Sequence, residues 1–551
     1  MTPANCQSGY NLQRPDDAIG YAAAAVAGLY RPWLLAAVIA GQAAMLLAFH
    51  ATTSWHSAPD SALYMGLGRA IAGGEGYTFN GEFHTMVPPL FPLALAGVMR
   101  VFGSSFLALN LFQIALALAC TPAIYLLTRQ LFGRDLALLG AAAFALNFVQ
   151  WTVASIVMSD LLFVLLATLG MSAAAWSAGN GPARWAALVL AGLGVAGASL
   201  TRSNGFVIVP GAAMAIWLGW RGRPTAARLA GAALLAAVAL APMIVWNRYA
   251  AAHVTGDPVT YLTTSHLGEP LGQMLLSMAD NFFDKILTTA SNLMVGFNDV
   301  PPGLNAVLPG LILIGCASSL RRREPMLPIS LVCMVGVLLV VSGVKSRYFL
   351  FLYPGMAVLF LAGAVAVGRW AGRWRQKAPR QALRGALIFL AVAGGINVAH
   401  SIAQGVEYRK EEVAGGARLK HDRDWFTAAR YLRAHHDRRQ TGRDEPLALT
   451  SQSRLMFYIA RIHDLGLTRG KEELSDQAYQ EMTRRRRPEW LVGDAEKRCT
   501  LRAVRALEAI GVQLTPVTDA GLTGTVKIWR MSPPPPATSA PADPSSRAPL
   551  P

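Results

Sequence analysis

Charged side chains that stand directly beside long apolar runs are the residues of this sequence best suited to chemistry. Asp60 opens an apolar stretch after Pro59, Asp160 precedes "LLFVLLATLG", and Lys345 and Arg347 lie in "VKSRYFLFLYPG". A carboxylate near a helix N-terminus is a suitable general base for a polar acceptor. Arginine binds phosphate as a bidentate fork, and lysine binds it as a point charge. These residue types therefore suit proton abstraction and phosphate binding.

Each of these groups also has a purely structural interpretation. An acid in the first turn of a helix is favoured by the helix dipole, which accounts for Asp60, and "SD" before an apolar run is a helix start, which accounts for Asp160. Lys345 and Arg347 could extend to lipid headgroups. Arg202 in "TRSNGF" and Arg69 are weaker candidates for the same phosphate.

Composition indicates the class of protein in which these residues act. Of the 551 residues, 53% are hydrophobic and 15% are charged, and apolar runs repeatedly approach the ~20 residues that cross a bilayer. The net charge of +17 comes from basic residues clustered in short loops between apolar runs, so a nucleic-acid partner is not expected. There is no Walker A loop, no H-E-x-x-H motif, and no Cys spacing typical of a disulfide framework or zinc site. The sequence predicts a polytopic membrane protein.

The distribution of Lys and Arg predicts the orientation of the spans. Residues 1–31 are expected to be a cytoplasmic tail before a retained first span, Trp33–Ala51, in a transmembrane domain of residues 32–402 with about eleven spans. Residues 52–106 and 247–303 are then outer loops. In this arrangement Asp60, Asp160 and the Lys345/Arg347 pair all face the outer side. The predicted spans with assigned bounds are Trp33–Ala51, Leu107–Thr128, Leu136–Thr152, Leu161–Ser177 and Ala386–Ile402.

Three further segments complete the predicted architecture. Pro59 to Gly74 reads as an amphipathic surface helix, and Pro88–Gly103 reads as an interfacial or re-entrant helix because counting it as a span would place the basic loops outside. Residues 403–531 alternate strand and helix patterns ("PLALTS", "WFTAARYLRAHH", "EWLVGD"), which predicts a small soluble α/β domain on the outer side. The Pro-rich tail 532–551 is expected to be disordered.

The ordered set of motifs resembles the GT-C glycosyltransferases. The resemblance spans roughly residues 55–360 and is closest to the branch of protein O-mannosyltransferases, lipid A aminoarabinose transferases and rhizobial-type lipopolysaccharide-core transferases. The motifs are "PDSALYMGLGRAIAGGEGY", "VPPLFPLALAGVMRVFG", "TRQLFGRDLALLGAAAFALN", "SIVMSDLLFVLL", "LTRSNGFVIVPG" and "KSRYFLFLYPGMAVL".

The resemblance implies a mainly α GT-C fold and transfer of a hexose or pentose, with inversion, from a polyprenyl-phosphate donor. The acceptor would be an envelope glycan, lipid or protein at the periplasmic face of a bacterial inner membrane. Asp60 matches the family's first-loop acid, which is taken as a base or as a carboxylate that positions the acceptor, and Asp160 matches the second acid. Both are candidate catalytic residues, and a divalent cation (Mg²⁺ or Mn²⁺) could bind between them. Lys345, Arg347, Arg202 and Arg69 are the candidates for the donor phosphate. Tyr64, Tyr77, His84 and Tyr348, in the same outer segments, are candidates for substrate binding.

One position departs from the family pattern. The aminoarabinose transferases carry a lysine directly before the Pro-Pro pair, where this sequence has Val87. A phosphate contact from that position is therefore absent, which argues against the aminoarabinose activity.

Two other classes of function stay open at this point. A flippase or transporter of lipid-linked glycans would line its path with ionisable residues, although no inverted repeat is visible and the charges gather at one face. A non-catalytic scaffold could bind envelope polymer through its soluble domain. Residues of the outer loop 247–303, His253, Asp257, His266, Glu269 and Asp299, would help shape the acceptor site in the enzyme.

Overall fold

The protein is represented by a computed structural model, which divides into two compact units. One unit comprises residues 1–56, 67–78 and 83–413, and the other comprises residues 57–66, 79–82 and 414–551. The structure describes residues 18–28, 30–56, 58–79, 82–85, 87–179, 183–253, 270–296, 300–341, 344–372, 377–413, 427–429, 431–436, 447–450, 463–466, 468–469, 472–473, 483, 488–495, 498–518, 520, 522 and 526–532.

The first unit is a bundle of apolar helices, which makes the chain a multi-pass membrane protein. The helices assigned to it are α1 (Ala18–Ala25), α2 (Pro32–His50), α4 (Leu90–Phe102), α5 (Phe106–Phe132), α6 (Arg134–Ala145), α7 (Phe148–Ala154), α8 (Asp160–Ser177), α9 (Arg184–Thr201), α10 (Ile208–Gly219), α11 (Thr225–Ala252), α12 (Leu271–Asp280), α13 (Leu287–Val295), α14 (Pro302–Arg321), α15 (Met326–Val340), α16 (Tyr353–Ala371) and α17 (Ala378–Val413). A π-helical turn, Asn281–Ile286, joins α12 to α13.

The number of full-length spans is smaller than the eleven expected. Among the described residues eight helices are long and apolar enough to cross a membrane, or nine if the bent pair α6 and α7 counts as one span. The difference lies in two shorter apolar segments, Ser203–Gly219 and Met326–Val340. Polar residues stand next to both, "TRSN" before the first and "KSR" beyond the second, so the apolar run that each helix offers is short.

The helices α6 and α7 meet at a bend of 52°. A break in a membrane helix exposes backbone groups that need partners, and two buried asparagines supply them. Asn147 caps α7 through its Oδ1 and donates from Nδ2 to the Leu293 carbonyl at 2.8 Å. Asn397 of α17 accepts from the Phe148 amide at 2.7 Å and donates to the Val295 carbonyl at 3.1 Å.

The segment between α2 and α5 contains two helices of different character. The helix α4 has 13 residues, or about 20 Å at 1.5 Å per residue, which is shorter than the ~30 Å hydrocarbon core. It therefore fits the interfacial or re-entrant helix expected there. The other helix, α3 (Pro59–Ala72), begins and ends where expected, and Gly74 after it has a φ of +83°. However, residues 61–68 are buried on every side, so the expectation of a surface helix with a single apolar face is wrong.

The helices α8 and α9 cross at glycines. A Cβ on Gly194 would lie 2.6 Å from the Cα of Gly170, and a Cβ on Gly170 would lie 2.9 Å from the backbone nitrogen of Val195. Small residues allow membrane helices to approach closely where dispersion forces and polar contacts hold them together. The two backbones are therefore in direct contact, which fixes the positions of the residues at the ends of both helices.

Replacing Gly194 with alanine is expected to separate these helices and destabilise the protein. The added methyl would overlap backbone atoms, which cannot move aside as a side chain can, and overpacking of this kind costs about 1–3 kcal/mol. A lower melting temperature of the detergent-solubilised Gly194→Ala protein would show this. Gly310→Ala is the matched control, because a Cβ there meets no atom within 4 Å. Equal melting temperatures of the two variants would contradict the close contact.

The second unit contains a mixed five-stranded sheet. Its strands are β3 (Leu447–Thr450), β4 (His463–Gly466), β7 (Trp490–Asp494), β8 (Leu514–Pro516) and β9 (Val526–Met531), in the order β4-β3-β7-β9-β8. The strand β3 is parallel to β4 and β7, and β9 is antiparallel to β7 and β8. The short strands of the chain are β1 (Thr78–Phe79), β2 (Glu82–Phe83), β5 (Thr468–Arg469) and β6 (Glu472–Glu473).

The helix that follows β7 covers this sheet. It is α18 (Arg498–Glu508), whose buried Cys499, Ala503 and Leu507 share a core with Leu491 of β7 and Met531 of β9. The strands β3 and β7 confirm the two predicted from "PLALTS" and "EWLVGD", and together with α18 they confirm the predicted α/β character of this domain.

Several sequence-based expectations concern residues outside the described part of the chain. The expected disordered tail lies outside it from residue 533 onward, and so do residues 1–17 of the expected N-terminal tail. Asp257, His266, Glu269 and Asp299 of the predicted outer loop also lie outside the described residues.

Candidate active site

The candidate site is built at one end of the helix pair α8 and α9. The two helices are antiparallel neighbours of 18 residues each, so the first residue of α8 and the residue after α9 lie at the same level. Asp160 occupies the first turn of α8, where the helix dipole favours a negative charge. Arg202 caps the end of α9 in an extended conformation and leads into the 3₁₀ turn Ser203–Val207. The sequence folds in this way because the apolar run of α9 ends at a polar "TRSN" segment.

Asp160 and Arg202 form a buried ion pair. The Arg202 Nη1 lies 2.8 Å from the Asp160 Oδ1, and the two side chains are 14% and 2% exposed. The same Nη1 is 3.4 Å from the hydroxyl of Ser159, which it donates to. Charge-assisted hydrogen bonds of this length are among the stronger polar contacts in proteins. The pair therefore holds the end of α9 against the start of α8.

A second arginine approaches the same carboxylate from another part of the chain. Arg347 lies in the 3₁₀ turn Ser346–Phe349, and its Nε is 3.9 Å from the Asp160 Oδ1. This is an ion-pair distance, but it is too long for a hydrogen bond. The ring of Tyr348 lies 5.1 Å from the Arg202 guanidinium carbon and 5.9 Å from that of Arg347. The structure thus brings together Asp160, Arg202, Arg347 and Tyr348, which the sequence separates by almost two hundred residues.

Lys345 is placed differently from its neighbour. It occupies the cap position before the 3₁₀ turn and is exposed, whereas Arg347 is only 17% exposed. Its ammonium group can therefore reach solvent or a headgroup, while the guanidinium of Arg347 is held inside the protein.

Asp60 lies in the first turn of α3 and is half-buried. The positive end of the helix dipole favours its negative charge. In the division of the chain, residues 57–66 belong to the second unit, whereas Asp160, Arg202 and Arg347 belong to the first. Asp60 therefore belongs to a different unit from these three residues.

The remaining predicted site residues are less exposed to a ligand than the sequence indicates. Tyr64 is buried within α3, and Arg69 is half-buried in the last turn of the same helix. The Tyr77 hydroxyl donates to the carbonyls of Val87 and Pro88 at 2.9 and 3.2 Å, so it ties the segment after α3 to the start of α4. Val87 itself is buried, in agreement with a side chain that does not contact phosphate.

An aromatic cluster at the end of α11 was not anticipated from the sequence. Trp246, Tyr249 and His253 occupy one face of this end, and the ring of Tyr249 lies 4.1 Å from that of His253. Phe83 packs 5.3 Å from His253, and Tyr77 packs 5.0 Å from Trp246. His84, half-buried, lies 6.5 Å from Tyr77. The spacing of three and four residues in "WNRYAAAH" was the available signal.

The residues around Asp160 do not fit a divalent cation. Mg²⁺ and similar ions need several oxygen ligands, but in the described part of the chain no three His, Cys, Asp or Glu side chains gather as a metal site. Moreover, the Asp160 carboxylate already faces two guanidinium groups, which would repel a dication. The acids expected to bind Mg²⁺ or Mn²⁺ therefore offer no built metal site at Asp160.

Comparison with solved structures identifies the architecture. ArnT from Cupriavidus metallidurans, solved with undecaprenyl phosphate, matches with a TM-score of 0.55 over 90% of this chain and 97% of its own, at 13% identity. The oligosaccharyltransferase from Archaeoglobus fulgidus, solved with a tethered acceptor peptide, matches with a TM-score of 0.55 over 92% of this chain and 74% of its own, at 14% identity. The chain has the GT-C fold.

Sequence comparison agrees with the GT-C architecture over part of the chain. The family model for dolichyl-phosphate-mannose-protein mannosyltransferases matches residues 86–246, which run from the start of α4 almost to the end of α11. Asp160 and Arg202 lie in the matched region. No curated protein sequence matches the chain.

Proposed function

We propose that this GT-C protein is a membrane glycosyltransferase that moves a hexose or pentose from a polyprenyl-phosphate donor to an acceptor of the cell envelope. The observation that carries the proposal is the buried cluster in which Arg202 and Arg347 converge on Asp160 at one end of the bundle. Two guanidiniums beside an aromatic ring suit a phosphate group, which each can bind through paired hydrogen bonds.

The relatives support the choice of donor. The ArnT structure holds undecaprenyl phosphate, and the AglB structure from Archaeoglobus fulgidus holds a dolichol-phosphate and an inhibitory peptide. A polyprenyl phosphate places its charge at the membrane surface while its chain stays in the bilayer. A buried cationic cluster at the end of membrane helices matches this distribution of charge.

The proposed reaction is a direct displacement at the anomeric carbon. The acceptor hydroxyl forms a bond to that carbon while the bond from the carbon to the phosphate oxygen breaks, which inverts the configuration. The proton of the hydroxyl passes to the Asp60 carboxylate, which later returns it to water. Arg347, with Lys345 and Arg202, offsets the negative charge that develops on the departing lipid phosphate. No nucleotide is consumed, because the donor already contains a phosphate leaving group.

The assignment of Asp60 as the base rests on its match to the first acid of the GT-C pattern and on its position at a helix N-terminus. The assignment of the phosphate group to Arg347 rests on the geometry at Asp160. We place Asp60 and Arg347 on the periplasmic side of a bacterial inner membrane, because the short basic loops then lie on the cytoplasmic side. The acceptor is an envelope glycan, lipid or protein.

A flippase of lipid-linked glycans is less well supported. Such a protein needs polar groups along a path through the membrane, whereas the charged cluster described above lies at the ends of α8 and α9. At the bend between α6 and α7, the Asn147 side chain donates to the Leu293 carbonyl and the Phe148 amide donates to the Asn397 side chain, so these groups do not face a path.

Reconstitution of the purified chain with polyprenyl-phosphate sugars tests the proposal. Incubation with envelope extract is expected to release polyprenyl monophosphate and to add one hexose or pentose to an acceptor, both visible by mass spectrometry. The same acceptor should lack that sugar in cells without the protein. Movement of the intact donor across the vesicle membrane, with no cleavage of its sugar-phosphate bond, would contradict the proposed glycosyl transfer and favour a flippase.

A further inference from the structure

The Asp160 carboxylate already forms an ion pair, whereas a catalytic base or a metal ligand needs a carboxylate that is available to the substrate or the metal. It is buried, and its Oδ1 accepts a hydrogen bond from Arg202 at 2.8 Å. This oxygen is therefore already occupied by a charge-assisted hydrogen bond. Two neighbouring cations also oppose a third. The position of Asp160 therefore suits a structural task in the site better than proton transfer.

The position of the Asp160 carboxylate between two arginines indicates what this structural task is. Arg202 comes from the end of α9 and Arg347 from the 3₁₀ turn near residue 346, so nothing in their local chain keeps the two guanidiniums together. Like charges at short range repel each other, more strongly where water is scarce. A negative charge between them offsets this repulsion. Tyr348 lies near both cations, at 5.1 and 5.9 Å from their guanidinium carbons.

The two arginines contact Asp160 at different distances. Arg202 is hydrogen-bonded to Asp160 and to Ser159, whereas the Arg347 Nε stands 3.9 Å from the same carboxylate oxygen. The second oxygen of Asp160, Oδ2, is buried and has no hydrogen-bond partner in the described part of the chain. Arg347 can therefore turn towards a ligand without breaking a hydrogen bond to Asp160, and the carboxylate keeps an oxygen to which an N–H can return.

We propose that Asp160 is a positioning residue, which holds Arg202 in place and directs Arg347 towards the phosphate group of a lipid monophosphate. This inference rests on the proposed function for the identity of the ligand. It assigns to Asp160 neither the proton transfer nor the metal binding that its match to a catalytic acid implies. Loss of the carboxylate then weakens phosphate binding, while the proton-transfer step is left to another group.

Binding of undecaprenyl monophosphate to the full-length protein in detergent tests the inference. Asp160→Asn is expected to weaken binding by about tenfold, by analogy with residues that orient ligand-holding side chains. Asp160→Glu keeps the charge and should restore most of the affinity. The double variant Asp160→Asn/Arg347→Gln should lose less binding free energy than the sum of the two single variants. Both changes remove the same contact, that of Arg347 as directed by Asp160, with the phosphate. The pH profile of the residual transfer should keep its wild-type shape.

Asp280→Asn is the matched control, because it removes an acid from the exposed pair with Lys285 in the same unit. It should leave lipid phosphate binding unchanged. Additive losses in the double variant, unchanged affinity with Asp160→Asn, or a shifted pH profile would overturn the positioning role. A wild-type protein that binds the lipid phosphate in an Asp160-dependent way but transfers no sugar supports the role of Asp160. That outcome contradicts the proposed glycosyl transfer alone.

Discussion

Replacing Asp60 with asparagine is expected to abolish sugar transfer while the protein still binds its lipid phosphate. The amide cannot accept the proton of the acceptor hydroxyl, and a positioned general base typically contributes 10²–10⁴-fold to rate. We therefore expect kcat to fall by at least about 100-fold. The measurement is turnover of a polyprenyl-phosphate sugar by the purified protein, beside binding of undecaprenyl monophosphate.

Glu75→Gln provides the comparison for Asp60→Asn. Glu75 is an exposed acid shortly after α3, so its replacement changes the charge of the same region without touching the first turn of the helix. Its turnover should stay at the wild-type value. Near-normal turnover by Asp60→Asn would refute the base role, and loss of lipid phosphate binding would point to a structural role instead.

The second large effect is expected on stability rather than activity. Arg202→Met removes the guanidinium 2.8 Å from Asp160 and leaves a buried carboxylate with Arg347 at ion-pair distance only. Removing one partner of a buried ion pair costs about 3–5 kcal/mol, because the remaining charge is poorly compensated. The melting temperature of the solubilised variant should fall clearly. Adding Asp160→Asn to Arg202→Met should recover much of the loss, since the buried charge is then absent.

The exposed pair of Lys285 and Asp280 gives the scale for this experiment. Its side chains are 39% and 53% exposed, and exposed pairs contribute only about 0.2–1 kcal/mol. Asp280→Asn removes this pair but keeps the hydrogen bond that Lys285 donates to Asn281, so it should barely change the melting temperature. If Arg202→Met lowers the melting temperature as little, Arg202 and Asp160 do not form a buried ion pair.

The sequence predicts the helices well because each signal is local. The run of apolar residues, the proline at the start and the glycines at the end define α3, and the pattern of basic loops excludes a full span at α4. The same reasoning finds two strands of the second unit from their apolar patterns. It does not find the burial of α3 on every side, because burial depends on neighbours that are distant in the sequence.

The candidate site is only partly predictable for the same reason. Asp160, Arg202 and Arg347 are each recognisable as charges beside apolar runs, but no spacing says that Arg202 and Arg347 share one carboxylate. The meeting of Arg202 and Asp160 depends on the close crossing of α8 and α9 at Gly170 and Gly194, and Arg347 comes from a separate turn. The sequence consequently gives Asp160 a catalytic role that its hydrogen bond to Arg202 does not favour.

The bend between α6 and α7 has a consequence for how the protein is made. Asn397, which accepts from the amide at the start of α7, is 249 residues away along the chain. The helix α7 in turn packs against the 3₁₀ turn that carries Arg347. A chain is synthesised from its N-terminus, so the Phe148 amide has no access to Asn397 until α17 has been synthesised and has entered the membrane. Nascent or truncated chains that end before Asn397 therefore lack this hydrogen bond beside the turn of Arg347, and the proposed transfer is expected only from the complete bundle.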